Sequence, residues 1–329
     1  MYKNILITGG TGSFGKKMLN FILHKYKSLN KVVIFSRDEL KQHEMKIKYF
    51  KHNKKLRFIL GDVRDYTTLK SAFYSIDLVI HAAALKQVDT AEYNPFEFIQ
   101  TNVIGAQNVI RAALDTNVKK VVALSTDKAS SPINLYGATK LCSDKLFAAA
   151  DHIKGKKNIS FSIVRYGNVA ASRGSIIPIL IDRKKNNLKF ELTDKRMTRF
   201  NITLDEAIDM VDWSIKHCKG GEIVVPNLKS YNLHDLAQAV CNKTKIIYSK
   251  IRPGEKLHEE MISEHESRNT FRVNKYFLIL NPIYEKTYKY YKKNFNKVPD
   301  GFKLSSNNTK KLSIKELQTI LRKIHKIII

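Results

Sequence analysis

A tyrosine and a lysine four positions apart form the first pair of side chains in this sequence whose spacing suggests catalysis. Tyr136 and Lys140 would lie on one face of a helix, and Thr126 precedes them at the end of a strand-like apolar run. A tyrosine hydroxyl, whose ordinary pKa is about 10, becomes a base when a neighbouring cation lowers that pKa. We expect Lys140 and an oxidised nicotinamide to supply this charge, so that Tyr136 accepts a hydroxyl proton while hydride leaves the same carbon.

A glycine-rich turn near the start of the chain predicts the place of a dinucleotide cofactor. Residues 8–15 read TGGTGSFG and lie between a short strand pattern and an amphipathic helix pattern. Glycines here allow a tight turn and a close approach of backbone to pyrophosphate, while the helix N-terminus offers free N–H groups. The residues expected to form this cradle are Gly9, Thr11, Gly12, Ser13, Phe14 and Gly15.

The end of the second strand pattern favours NADP over NAD. NAD enzymes usually carry a carboxylate there for the ribose 2′-hydroxyl, whereas this chain has Ser36, followed by Arg37 and Lys41. A hydroxyl and a guanidinium suit a 2′-phosphate, although Arg37 could also be a solvated residue at a helix start. The other expected cofactor contacts are Asp38, Asp62, Val63, Ala82, Lys86, Tyr136 and Lys140.

Short strand patterns alternate with longer amphipathic segments over the first half of the chain. Apolar runs rich in Val and Ile fall at residues 5–8, 32–35, 58–60, 78–81, 121–124 and 161–164. This alternation predicts an α/β fold with a doubly wound parallel Rossmann-type sheet. We expect residues 1–167 to bind the cofactor, with 199–226 returning to that domain. Residues 168–198 and 227–329 should form a smaller α/β C-terminal substrate domain.

The bulk composition indicates an enzyme without a membrane anchor. The chain of 329 residues is 43% hydrophobic, and no apolar run approaches the roughly 20 residues of a membrane span. It starts without a signal-peptide pattern and has three cysteines, which suit reduced thiols in a cytoplasmic location. The net charge of +28 could attract nucleic acid, but the lysines are spread along the chain. Neither a nucleic-acid partner nor a metal site is expected.

Ten motifs that follow one another along the chain resemble those of the extended short-chain dehydrogenase/reductase family. Within that family, the sequence is most similar to the inverting UDP-N-acetylglucosamine 4,6-dehydratases of the pseudaminic acid pathway. The resemblance implies NADP as cofactor, a UDP-sugar as substrate and UDP-2-acetamido-2,6-dideoxy-L-arabino-hex-4-ulose as product. The motifs are TGGTGSFG at 8, SRDELK at 36, GDVRD at 61, HAAALK at 81, AEYNP at 91, LSTDKA at 124, INLYGATKLCSDKLF at 133, VRYGNV at 164, RMTRF at 196 and IRPGEKLHE at 251.

The resemblance gives Asp127 and Lys128 a part in eliminating water. Elimination needs an acid and a base besides the hydroxyl, tyrosine and lysine set, and the inverting dehydratases carry Asp-Lys directly after the catalytic Ser or Thr. After oxidation at carbon 4, Lys128 would remove the carbon 5 proton, its pKa lowered by burial near other cations. Protonated Asp127 would then release the carbon 6 hydroxyl, hydride would return to carbon 6, and carbon 5 would be reprotonated from the opposite face. The two residues could share these roles, or form only a solvated salt bridge.

The same resemblance implies substrate contacts in the sugar-nucleotide-binding part of the chain. Lys86 would lie between cofactor and substrate, and Arg252 with Glu255 would hold the phosphate and the uridine ribose. Departures from the family pattern, such as Gln87 and Asn201, fall in the expected cleft and leave the choice of sugar open. The expected substrate-binding residues are Lys86, Asn168, Arg173, Gly174, Ser175, Arg252 and Glu255.

Two alternative functions and an oligomeric state complete the expectations. The chain could act as a related UDP-amino-sugar dehydratase or epimerase for capsule or lipopolysaccharide sugars. It could also be a noncatalytic Rossmann protein that binds NADP or RNA, although such a protein has no need of Asp127 and Lys128. Amphipathic patterns near residues 96–116 and 135–151 predict a homo-oligomer, a dimer or a hexamer, joined by a four-helix seam.

Overall fold

Strands and helices alternate along the first half of the computed structural model, which describes residues 2–170 and 175–328. The strands are β1 (Asn4–Thr8), β2 (Lys31–Ser36), β3 (Leu56–Leu60), β4 (Leu78–His81), β5 (Lys120–Thr126), β6 (Ser160–Tyr166), β7 (Phe190–Leu192), β8 (Thr198–Phe200), β9 (Ile223–Pro226), β10 (Ser230–Asn232), β11 (Ile246–Tyr248), β12 (Glu260–Ile262), β13 (Thr270–Val273), β14 (Tyr276–Ile279), β15 (Asn296–Lys297) and β16 (Leu304–Ser305).

Helices connect these strands. They are α1 (Ser13–Lys25), α2 (Glu39–Lys48), α3 (Tyr66–Phe73), α4 (Val88–Tyr93), α5 (Pro95–Phe98), α6 (Gly105–Leu114), α7 (Leu135–Ile153), α8 (Ile176–Lys185), α9 (Leu204–His217), α10 (Leu233–Val240), α11 (Glu264–Ser267), α12 (Glu285–Asn294) and α13 (Ile314–Ile328). A π-helical turn, Ile99–Ile104, joins α5 to α6, and 3-10 turns occupy Phe50–His52 and Asp127–Ala129.

One large sheet runs through the described part of the chain. Its strand order is β15-β13-β14-β9-β6-β5-β4-β1-β2-β3, and every neighbouring pair from β9 to β3 is parallel. The order β3-β2-β1-β4-β5-β6 is that of doubly wound dinucleotide-binding sheets, in which ligands bind at the carboxyl ends of the strands. The predicted α/β Rossmann-type fold is therefore confirmed.

Successive side chains of the central strands enter two different cores. Leu6 packs in the core that includes α3, α6 and α7, whereas its neighbours Ile5 and Ile7 pack in the core that includes α1 and α9. Both faces of the sheet are thus covered by helices. This explains why the strands read as continuous apolar runs and not as alternating ones.

Three strands near the C-terminus extend the large sheet. β14 pairs antiparallel with β9, β13 pairs with β14, and β15 pairs with β13. The sequence assigned residues 227–329 as a whole to the substrate domain, yet Tyr276–Ile279 is hydrogen-bonded to the Rossmann sheet. A local apolar pattern predicts a strand without revealing which sheet edge the strand will join, and this long-range pairing was missed for that reason.

A third apolar core lies apart from the two that cover the sheet. It is built from α8, β7, α10 and the start of α13, with Leu180, Phe190, Leu236 and Leu317 among its buried members. Small strand pairs, β7–β11 and β8–β10, lie beside it. The assignment of these segments to a separate sugar-nucleotide-binding domain stays a prediction. No helix of the described residues is both long and apolar enough to cross a bilayer.

Candidate active site

A cleft of about 820 Å³ runs across the carboxyl ends of the parallel strands. It brings together side chains that are far apart in the sequence, because the loops after β1, β2, β3, β4, β5 and β6 all open on this edge. Arg173 and Gly174, two expected substrate contacts, lie outside the described residues. All other expected site residues line the cleft: Gly9, Thr11, Gly12, Ser13, Phe14, Gly15, Ser36, Arg37, Asp38, Lys41, Asp62, Val63, Ala82, Lys86, Thr126, Asp127, Lys128, Tyr136, Lys140, Asn168, Ser175, Arg252 and Glu255.

The glycine turn has the geometry that a pyrophosphate needs. Gly9 has a φ of 63°, and a Cβ on it would lie 2.8 Å from the backbone nitrogen of Ala83. A Cβ on Gly15 would lie 2.5 Å from the Cα of Gly10, so only glycine lets the turn fold against the start of α1. The first turn of α1 carries no acidic residue, so its N–H groups could bind an anion without competition from a carboxylate of that turn. These residues fit a dinucleotide.

The end of β2 presents a hydroxyl and two cations to the cleft. Ser36 accepts a hydrogen bond from Nε2 of Gln42 at 3.0 Å, which leaves its own proton available. Asp38 is the N-cap of α2, where it accepts from the backbone N–H of Lys41 at 2.9 Å and pairs with the Lys41 ammonium. Arg37 contacts Asp62 with its Nη1 at 3.3 Å and remains half exposed. Asp38, the first carboxylate after the strand in sequence, is thus engaged in capping α2.

The loop after β5 buries the Asp-Lys pair in the wall of the cleft. Thr126 donates from its hydroxyl to Oδ1 of Asp127 at 2.9 Å, and Nζ of Lys128 lies 3.1 Å from the same oxygen. The Asp127 side chain is 1% exposed and that of Lys128 is 20% exposed. The alternative of a solvated salt bridge is wrong for this pair, because water is excluded from the carboxylate. Oδ2 of Asp127 has no hydrogen-bond partner among the described residues.

Two charged residues that the sequence analysis had not singled out complete this cluster. Glu259 places Oε1 at 3.1 Å from Nζ of Lys128, and Nε of Arg199 lies 3.6 Å from the same carboxylate oxygen. Both residues line the cleft, as does Lys256, which donates from Nζ to the carbonyl of Ser130 at 2.8 Å. All three stand inside motifs already noted, RMTRF and IRPGEKLHE. Only the fold reveals that these motifs meet the STDKA loop.

The charges of this cluster correct one expectation about Lys128. Burial alone would lower its pKa, but the carboxylates of Asp127 and Glu259 outweigh burial and raise the pKa above the ordinary value. Lys128 was expected to have a lowered pKa among cations, and instead it lies between two carboxylates. For Asp127, burial raises the pKa, with the charge of Glu259 acting in the same direction. For Glu259, Lys128 and Arg199 outweigh burial and lower the pKa.

Tyr136 and Lys140 stand on α7 as predicted, and Lys128 is a further cation that acts on Tyr136. Burial raises the pKa of Tyr136 to about 12, and the charge of Lys128 and a hydrogen bond with Thr126 oppose the increase. Lys140 donates from Nζ to the carbonyl of Leu124 at 2.8 Å, and burial lowers its own pKa. The role of Lys140 in activating Tyr136 stays a prediction, and the charge of Lys128 acts in the same direction.

The expected substrate end of the cleft contains polar groups without internal partners. Oδ1 of Asn168 and Oγ of Ser175 are buried and have no hydrogen-bond partner among the described residues. Arg252 is largely exposed, and its Nη1 lies 3.6 Å from Asp89. Burial lowers the pKa of Lys86, which also lines the cleft. Buried polar atoms of this kind are usually satisfied by a ligand or by water.

Comparison with known proteins confirms the resemblance based on the motifs. The chain is 47% identical to the UDP-N-acetylglucosamine 4,6-dehydratase (inverting) of Campylobacter jejuni strain 81-176, with 97% of each chain covered. It is 39% identical to the UDP-glucose 4-epimerase of Rickettsia bellii strain OSU 85-389, with 97% of this chain and 95% of that protein covered.

A solved structure and a family description agree with these relatives. The X-ray structure of Pen from Bacillus thuringiensis superimposes with a TM-score of 0.90 at 36% identity, covering 98% of this chain and 97% of that one. The polysaccharide biosynthesis protein family matches residues 5–281. With five-sixths of its length matched, this chain belongs to the polysaccharide biosynthesis protein family.

Proposed function

We propose that the protein is an NADP-dependent UDP-N-acetylglucosamine 4,6-dehydratase that inverts carbon 5. The observation that carries the proposal is the buried Asp127–Lys128 pair, 3.1 Å apart, in the wall of the cleft that Tyr136 also lines. The relative that is 47% identical over 97% of the chain bears this activity in its name. The product would be UDP-2-acetamido-2,6-dideoxy-L-arabino-hex-4-ulose, and use of this product for pseudaminic acid-type glycans is part of the proposal.

Tyr136 is the base of the first step. As a phenolate, Tyr136 would take the proton of the carbon 4 hydroxyl, and the Lys128 ammonium favours the phenolate by opposing the effect of burial on the pKa of Tyr136. A bound nicotinamide supplies a hydride acceptor for carbon 4 and a hydride donor for carbon 6. Lys140, fixed by its bond to the Leu124 carbonyl, would hold the cofactor ribose beside Tyr136.

In the next step Asp127 acts as the acid and Lys128 as the base, and together the two side chains hold one titratable proton. They form an ion pair, and the Glu259 carboxylate also favours the Lys128 ammonium. A sugar that fills the cleft removes water, and desolvation disfavours both charges. The proton can then pass along the 3.1 Å contact from Lys128 to Asp127. This gives a neutral lysine to take the carbon 5 proton and a protonated Asp127 for the departing hydroxyl.

NADP is proposed over NAD from the end of β2. Asp38 caps α2 and is therefore poorly placed to bind a ribose diol, while Arg37 and Lys41 line the cleft beside Ser36. A 2′-phosphate could exchange for the carboxylates that these two cations now contact. The glycine turn and the free N–H groups of α1 support a dinucleotide of either kind.

Substrate binding is proposed for the part of the cleft lined by Asn168, Ser175 and Arg252. Asn168 and Ser175 offer buried polar atoms that the described residues leave unsatisfied, and Arg252 offers an exposed cation for phosphate. Arg173 and Gly174 remain predicted contacts.

The three cysteines are free, which supports the proposed cytoplasmic location.

A 4-epimerase is the second candidate, since an epimerase is 39% identical over almost the same length. An epimerase returns hydride to carbon 4 and needs no acid at carbon 6. The discriminating experiment incubates the protein separately with UDP-N-acetylglucosamine and UDP-glucose and identifies each product by NMR. We expect a 4-keto-6-deoxy product from the first sugar. A 4-epimer without loss of water from either sugar would overturn the proposal.

A further inference from the structure

Lys128 is held from two sides, and only one of its two carboxylates was expected. Nζ of Lys128 lies 3.1 Å from Oδ1 of Asp127 and 3.1 Å from Oε1 of Glu259. The Glu259 side chain is 3% exposed, as buried as a core residue. A carboxylate so deep in a protein is costly unless it is paired, and here its partners are the ammonium of Lys128 and the guanidinium of Arg199.

The backbone around Glu259 fixes where its carboxylate can reach. The N–H of Glu259 donates to Oγ of Ser306 at 2.9 Å, and the N–H of Ser306 donates to the carbonyl of Glu259 at 2.8 Å. Oγ of Ser306 in turn lies 2.7 Å from Oγ1 of Thr198, next to Arg199 on β8. Segments from three parts of the chain therefore hold the carboxylate against Lys128, and Oε2 of Glu259 has no hydrogen-bond partner among the described residues.

We propose that Glu259 is a positioning residue for the dehydration: its carboxylate anchors the Lys128 ammonium at the cleft wall and sets how many protons the Asp127–Lys128 pair holds at neutral pH. The inference rests on the proposed function. Glu259 acts through Lys128 and is not assigned a contact with the sugar. Its effect does not depend on which member of the pair is the acid and which is the base.

The sign of the effect follows from electrostatics. A negative charge raises the pKa of every neighbouring group, so removing it lowers both macroscopic pKa values of the Asp127–Lys128 pair. The active pair holds one proton in either assignment, and the pH range of that form moves to lower pH as a whole. Among the described residues, the other titratable or charged groups that act on Glu259, on Lys128 or on their partners are Arg199, Tyr136, Tyr231, Glu255, Lys256 and Glu260.

The test compares pH–rate profiles for dehydration of UDP-N-acetylglucosamine by the wild-type protein and by Glu259→Gln. We expect both limbs of the variant's profile to move to lower pH by about one unit or more, given the short distance to Lys128. Glu259→Asp keeps the charge but draws it back from Lys128, so both limbs should move in the same direction by a smaller amount, with a rate at least about tenfold lower because the carboxylate is withdrawn. Glu264→Gln, which neutralises an exposed carboxylate nearby in the chain, should change neither property.

The outcomes separate this inference from the proposed function. If the wild-type protein does not dehydrate the sugar, the proposed function fails before Glu259 is considered. If the wild-type protein is active and Glu259→Gln keeps its profile while only the rate falls, Glu259 is merely structural and the inference is overturned. Should Glu259→Gln fail to fold, Glu259→Asp decides: a profile displaced to lower pH supports the inference, and an unmoved profile contradicts it whether or not the rate falls.

Discussion

Lys128 shows how strongly the chemistry of one side chain depends on groups distant in sequence. Its role was inferred from its place after Thr126 and Asp127, and the structure places all three residues in the lining of the cleft. The direction of its pKa was predicted wrongly, because Glu259 stands more than 130 positions later in the chain. A motif specifies which residues are neighbours in sequence, whereas electrostatics depends on neighbours in space.

Replacing Lys128 is the sharpest test at this scale. Lys128→Ala should lower the rate of dehydration by about 10³-fold, since a positioned acid or base contributes roughly 10² to 10⁴. Oxidation of carbon 4 should survive, although Tyr136 would lose a neighbouring cation. Absorbance of the reduced nicotinamide in a single turnover measures the first step, and NMR of the product measures the second. Undiminished dehydration would remove Lys128 from the mechanism.

Cofactor choice is also decided by a few side chains. The double variant Arg37→Ala/Lys41→Ala should bind NADP about 10- to 100-fold more weakly, because two cations near the expected 2′-phosphate are lost. Its affinity for NAD should change little. Fluorescence titration with NADPH and NADH measures both. Lys46→Ala, an exposed cation on the same helix, is the matched control. Equal losses for the two cofactors would contradict the assignment of NADP.

At the scale of elements, helices α1 and α9 are joined by a buried carboxylate. Asp212 on α9 accepts from Nζ of Lys25 at 3.0 Å, from the hydroxyl of Tyr26 at 3.1 Å and from Nζ of Lys216 at 2.6 Å. Burial raises the pKa of Asp212, but the hydrogen bonds from Lys216 and Lys25 outweigh burial and lower it overall. The sequence predicted both helices, but nothing local in it indicates this contact across the core.

Asp212→Asn should therefore lower the free energy of unfolding by about 1 kcal/mol at pH 7, since both lysines are half exposed and solvent screens them. A depressed pKa in the folded state contributes stability that is present above the unfolded pKa of about 3.9. That contribution is lost as the pH falls through the lowered folded-state pKa, so the difference between variant and wild type should be smaller at about pH 3 than at pH 7. Urea unfolding at both pH values measures it, with Asp209→Asn on the exposed side of α9 as control. A difference independent of pH would refute this explanation.

At the scale of the whole molecule, the architecture of the first half of the chain was predictable and that of the C-terminal half was less so. Within the first 166 residues, β1, β2, β4, β5 and β6 are buried on both faces, and the apolar runs with intervening helix patterns predicted the parallel sheet. In the second half, strands of only two to four residues pair with partners far along the chain. Such short strands carry little local signal, and the extension of the sheet by β13, β14 and β15 was missed.

The oligomeric state is a prediction at this same scale. Phe96 is 64% exposed and Ile104 is 42% exposed, and both lie within the predicted oligomer seam at residues 96–116. We expect light scattering to give the mass of a dimer or a hexamer, and Phe96→Asp to reduce it towards that of the monomer. Phe50→Asp, at an exposed phenylalanine elsewhere, should leave the mass unchanged. A monomeric wild-type protein would disprove the seam.

The central claim is that the enzyme eliminates water across carbons 5 and 6 of the sugar and transfers the hydride of carbon 4 to carbon 6 of the same molecule. It is tested most directly by isotope labelling of UDP-N-acetylglucosamine followed by NMR of the product. A substrate with deuterium at carbon 4 should give a product with that deuterium at carbon 6. A reaction in heavy water should place solvent deuterium at carbon 5 in the L-arabino configuration. Return of the label to carbon 4, or a carbon 5 that keeps its original hydrogen, would contradict the account.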